Sequence, residues 1–84
     1  MEKIWSDKAW EEYVEWQSKD RKILKKINDL IKDIERNGSK GLGKAEKLKN
    51  HPGYSRRINQ EHRLVFEIKD DKLLIASVKG HYEE

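Results

Sequence analysis

Apolar residues recur at two different periods along this chain, and the change of period divides it into a helical half and a sheet half. Ile23, Leu24, Ile27, Leu30, Ile31 and Ile34 are spaced as one stripe of an amphipathic helix. Asp20 stands where a helix N-cap is expected, and Asn37-Gly38 supplies a residue suited to a left-handed C-terminal stop. An earlier helix is predicted to start after Ser6, with Asp7 in the first turn where an anion is favoured. It sets Trp10, Tyr13 and Val14 on one face with Trp16 beside them, and these are read as core or helix-packing residues. Residues 2–5 make a short opening strand.

After about residue 54 the period falls to two, and strands are predicted at roughly 54–58, 62–68 and 72–79, with turns at Asn59-Gln60 and Asp70-Asp71. Leu64, Phe66 and Ile68 fall on one face of the middle strand, with Arg63 and Val65 on the other. Ile58 opposes Arg57. Leu74, Ala76 and Val78 oppose Ser77, Lys79 and His81. If the apolar set meets the helices, Arg57, Arg63 and His81 emerge together on the far face. The expected fold is α+β: a single domain over residues 1–84 with two N-terminal helices packed on one face of a small antiparallel sheet. Residues 38–53 read as a Gly/Lys-rich loop.

Composition narrows the chemistry. The chain has 84 residues, no cysteine and a net charge of +3, so disulfides and thiolate chemistry are excluded and a reducing cytoplasm is expected. No apolar run is long enough for a membrane span, and the opening residues lack the apolar core of a signal peptide. The charge is unevenly spread: residues 1–39 carry nine Lys/Arg and nine Asp/Glu, whereas residues 40–63 carry seven Lys/Arg and two Asp/Glu. Such a local excess attracts phosphates.

Two catalytic classes fall away on inspection. Gly38-Ser39-Lys40-Gly41-Leu42-Gly43-Lys44-Ala45 nearly matches a phosphate-cradling P-loop, but Ala45 stands where the magnesium-binding hydroxyl belongs and the run follows a helix instead of a strand. His51, His62 and His81 show no close metal-ligand spacing, so no metal and no cofactor is expected. His62 falls on the apolar strand face and reads as half-buried structure.

What remains is a set suited to acid–base chemistry on a phosphodiester. Glu46, alone among lysines, is either a surface ion-pair partner or a general base kept ionised by its basic neighbours. Arg57 and Arg63 carry planar forks that grip phosphate, and such donors bind more tightly as negative charge develops. Glu61 is expected to pair with Arg63 and orient it. His81 is either a frayed terminal histidine or a proton donor, since imidazoles titrate near neutrality. Tyr82 either packs or stacks on a base.

These residues sit in motifs that resemble the YoeB family of RelE-like toxins. The motifs are Lys25-Lys26-Ile27-Asn28, Leu30-Ile31-Lys32-Asp33, Gly41-Leu42-Gly43-Lys44, Ser55-Arg56-Arg57-Ile58, Glu61-His62-Arg63-Leu64-Val65 and His81-Tyr82. The resemblance implies a RelE-like, microbial-RNase-type fold and an endoribonuclease that cuts mRNA in the A site of the 70S ribosome. It assigns the base to Glu46, phosphate binding to Arg57 and Arg63, and the acid to His81. Tyr82 and Lys49 help hold the substrate. The implied partner is a YefM-like antitoxin with a disordered acidic tail; a homodimer is left open. In place of the family's prolines, Ala45 and Lys47 flank the glutamate, and Glu83-Glu84 add two carboxylates beyond Tyr82. The rival reading is a non-catalytic RelE-like toxin acting on a protein such as gyrase.

Overall fold

In the computed structural model, which describes residues 1–38 and 45–81, each helix begins on a side-chain cap. Ser6 Oγ accepts from the Ala9 amide at 3.0 Å and opens α1 (Asp7–Lys19). Asp20 Oδ1 accepts from the Lys22 and Ile23 amides at 3.0 and 3.2 Å and opens α2 (Arg21–Asn37). Gly38, with φ +70°, donates its N–H to the Ile34 carbonyl at 2.8 Å, closing α2 in the left-handed region where glycine carries no steric penalty.

The remaining elements are β1 (Glu2–Trp5), β2 (Glu46–Lys47), β3 (Tyr54–Arg57), β4 (Arg63–Lys69) and β5 (Lys72–Ser77). They form one sheet in the order β1-β5-β4-β3-β2. The pairs β2–β3, β3–β4 and β4–β5 are antiparallel, and β1 adds in parallel to β5 at the edge. Asp70 and Asp71 take φ of +52° and +59°, the conformation a two-residue hairpin needs to match strand twist. The two-residue β2 falls inside the stretch expected from sequence to be loop; Ser39–Lys44 of that stretch lie outside the described residues.

The core lies between the helices and one sheet face. Ile27, Leu30, Ile31 and Ile34 pack on Ile58, Leu64, Phe66, Leu73, Ile75 and Val78, as the period-3.6 stripe anticipates. Two expectations are corrected. On α1, Ala9 and Trp16 are the buried residues, while Trp10 is 50% and Val14 45% exposed. The buried stripe runs through Ala9 and Trp16, seven positions apart. Trp10, one residue off it, stacks on Tyr13 and meets Trp5 edge-on at the surface.

On β5, Leu73 and Ile75 face the core while Ala76 is exposed, the reverse of the predicted alternation. The cause is a bulge. Phe66 pairs with Ile75 but the adjacent Val65 pairs with Ser77, so Ala76 is an extra residue and the face parity flips across it. Beyond the bulge the prediction holds: Val78 is buried and Ser77 shares the face of Val65.

Adjacent residues of β3 divide between the two faces. Arg56 is fully buried on the helix side, where its Nη1 donates to Asp33 Oδ2 of α2 at 2.7 Å. It therefore adds nothing to the surface charge counted from sequence.

Candidate functional site

The opposite sheet face carries Glu46, Ser55, Arg57, Arg63 and Val65, and its geometry follows from register. Glu46 pairs with Ser55, Ser55 with Val65, and Arg57 with Arg63, so these side chains leave the sheet on one side. The segment after β2 folds over this face and buries Leu48 and Val65 outside the main core. It is pinned by the Leu48 N–H donating to the Gly53 carbonyl at 3.1 Å. Gly53 itself has φ +116°, and a Cβ there would lie 2.6 Å from the Phe66 carbonyl oxygen, so only glycine permits this approach.

A cleft of about 360 Å³ results, lined by Glu46, Lys47, Leu48, Lys49, Ser55, Arg63 and His81. Three of the residues that the sequence marks for acid–base chemistry (Glu46, Arg63 and His81) therefore share one concavity, together with Lys49. Arg57 is exposed beside the cleft, opposite Arg63 on the same face, and is not among its lining residues. Tyr82 lies outside the described residues.

Electrostatically the site is prepared for an anion. Like charges directly opposite on neighbouring strands repel, so the Arg57–Arg63 juxtaposition is unfavourable until an anion lies between them. Arg63 Nη1 is buried without a hydrogen-bond partner, as are Nε and Nη2 of Arg56 on the other face, so this feature alone does not distinguish the cleft. With Lys49 and Lys47 on the cleft wall, the arrangement suits a phosphate with a carboxylate and an imidazole within the same cavity.

One expected contact does not form. Strand alternation places Glu61 beside Arg63, but the Glu61 side chain is 83% exposed and lies 4.0 Å from His62 Nε2 instead. The reason is local: Asn59 Oδ1 accepts from both the Glu61 and His62 amides, closing a turn that removes Glu61 from the strand alternation. Conversely, Ser55 lines the cleft although no sequence motif marks it as chemical. Its position two residues before Arg57 on the same strand face is the available signal.

Among the described residues no cluster of three or more His, Cys, Asp or Glu is arranged to hold a metal ion, and no helix is long and apolar enough to cross a membrane.

Comparison with known proteins turns on the match of residues 5–82 to the model of YoeB-like toxins of bacterial type II toxin–antitoxin systems. The chain belongs to this family. It is 50% identical to Toxin YoeB of Escherichia coli (strain K12) over 84 residues, covering 98% of this chain and 100% of that protein. A solved YoeB dimer from Staphylococcus aureus superimposes with a TM-score of 0.91 at 50% identity, covering 98% of each chain. A YoeB–YefM complex from Staphylococcus aureus gives a TM-score of 0.90 at 48% identity, again over 98% of each chain. The RelE-like fold expected from sequence is thus the fold of this YoeB-family chain.

Proposed function

We propose that this toxin is a ribosome-dependent endoribonuclease that cleaves mRNA in the A site of the 70S ribosome by acid–base catalysis. The observation that carries the reading is the common cleft of Glu46, Arg63 and His81, with Lys47 and Lys49 on its wall. The Glu46 carboxylate takes the proton of a ribose 2′-hydroxyl, and the 2′-oxygen attacks the adjacent phosphorus. Arg63, with Arg57 at the rim and Lys49 on the wall, stabilises the charge gathered on the phosphorane. The P–O5′ bond breaks as the His81 imidazolium gives its proton to the leaving oxygen. The products are a 2′,3′-cyclic phosphate and a 5′-hydroxyl. The nucleophile is the ribose itself, so the step consumes no water.

The toxin acts in the cytoplasm, where a YefM-like antitoxin is its inhibitor. A solved Staphylococcus aureus relative is in complex with YefM, and the excess of basic residues over residues 40–63 suits an acidic partner segment as well as RNA. Self-association into a homodimer is supported by the dimeric Staphylococcus aureus relative.

Primer-extension mapping of an mRNA in a purified translation reaction tests the reading. New 5′ ends at A-site codons are expected with wild-type protein and ribosomes, and these ends should be lost without ribosomes or with His81→Ala. Translation that proceeds with no new ends would reject the reading and favour a non-catalytic toxin acting on a protein such as gyrase.

A further inference from the structure

The β5 strand ends at Ser77, yet His81 lies four residues further on and still lines the cleft. No strand ladder reaches it, so something else must fix its position. Four hydrogen bonds do so, in two pairs. The Val78 N–H donates to Glu12 Oε1 at 2.9 Å, and Trp16 Nε1–H donates to the Val78 carbonyl at 3.0 Å. Two residues later, the Gly80 N–H donates to His62 Nδ1 at 2.8 Å, and the Arg63 N–H donates to the Gly80 carbonyl at 3.0 Å. The first pair fastens the segment to α1. The second grips the peptide groups on either side of Gly80, the residue that immediately precedes His81.

The His62 contact is the specific one. Because Nδ1 accepts, the neutral ring carries its proton on Nε2, and a side chain without an acceptor at this point leaves the partly buried Gly80 N–H unpaired. The ring is itself held: Trp16 meets it edge-on with centroids 4.9 Å apart, and the Asn59 cap fixes its backbone. Gly80 has φ +77°, a left-handed conformation that turns the chain toward the cleft. His62 and Arg63 thus act as a pair. The imidazole of one and the backbone N–H of the other hold Gly80, while Arg63 and His81 both line the cleft.

We propose that His62 is a positioning residue for His81, holding the Gly80 peptide so that the His81 imidazole stays at the cleft. The inference rests on the reading of His81 as general acid, and it extends that reading to a histidine outside the cleft. Misplacing a catalytic group by about 1 Å costs up to ~10²-fold in rate, so loss of one of two anchors should fall on turnover more than on binding.

Two variants separate the hydrogen bond from the packing. His62→Phe keeps a ring against Trp16 but has no acceptor; His62→Asn keeps an acceptor near Nδ1 but no ring. Amide hydrogen exchange is measured on the isolated protein, and kcat and KM on ribosome-bound mRNA. For His62→Phe, exchange at Gly80 should accelerate about tenfold or more, and kcat should fall about tenfold with KM within about twofold. His62→Asn should restore most of both. Unchanged Gly80 exchange in His62→Phe, or faster exchange with unchanged kcat, would overturn the proposal. So would equal losses in the two variants, because ring packing alone would then explain them. Should the wild-type protein fail to cut mRNA, the proposed activity fails separately, and the exchange arm still decides whether His62 holds Gly80.

Discussion

Arg56 and Arg57 are neighbours in sequence and occupy opposite sides of the same strand. On the helix side Arg56 is fully buried and ion-paired with Asp33; on the cleft side Arg57 is exposed and faces Arg63 across the sheet. The helix face is a dry apolar layer in which a charge persists only with a partner. The cleft face leaves cationic groups side by side; buried unpartnered nitrogens occur on both faces, Arg63 Nη1 here and Arg56 Nε and Nη2 on the helix side. The first arrangement pairs its charge within the fold; the second leaves two cationic groups facing each other across the sheet. Residue type does not separate the two roles; strand parity does.

The contrast is most exposed to refutation on the cleft side. Arg63→Ala should lower the rate of ribosome-dependent cleavage by about 10²–10³-fold, the range seen when a transition-state donor is removed, with little change in thermal stability. Arg57→Ala, at the rim, should lower it by only about tenfold. Single-turnover rates on ribosome-bound mRNA check both, and a larger loss for Arg57→Ala would reverse their assigned positions.

On the helix side the effect should appear in stability instead. Arg56→Met removes the buried cation from Asp33, which keeps its hydrogen bond from Asn37 Nδ2, and should destabilise the fold by about 3 kcal/mol in urea unfolding. The double variant Arg56→Met/Asp33→Leu should recover much of that loss. Activity per folded molecule should stay near wild-type in both, whereas a loss of cleavage in a folded Arg56→Met protein would assign Arg56 to the site.

The helical half is legible in the sequence because its signals are local. Asp20, the Ile/Leu stripe and Gly38 act within one turn of themselves, and the structure realises each of them. The hairpin turns are legible for the same reason. What sequence alternation misses depends on non-local geometry. The Ala76 bulge arises from pairing with β4, and it inverts half of β5 while leaving the half that leads to His81 in phase. Trp10 has the composition of a core residue but sits one step off the buried stripe. Glu61 has the right charge to hold Arg63, but the Asn59 cap takes it out of the strand.

The candidate site is legible as a set of residue types, and Glu46, Arg63 and His81 do meet in one cleft. The manner of their meeting is not. It depends on a glycine beneath β4 at Gly53 and on side-chain anchors reaching from α1 and from His62. None of these has a periodic signature.

If the cleft performs 2′-hydroxyl attack with proton transfer by its own side chains, the products carry its signature. The chemistry of the cleavage ends tests it most directly. RNA recovered from a translation reaction should carry 5′-hydroxyl ends, with 2′,3′-cyclic phosphate or its opened form on the upstream fragment. The 5′ ends should therefore accept phosphate from polynucleotide kinase without prior phosphatase treatment. Fragments bearing 5′-phosphate and a free 3′-hydroxyl would mean that water, and not the ribose, attacks phosphorus, and would contradict the roles of Glu46 as base and His81 as acid.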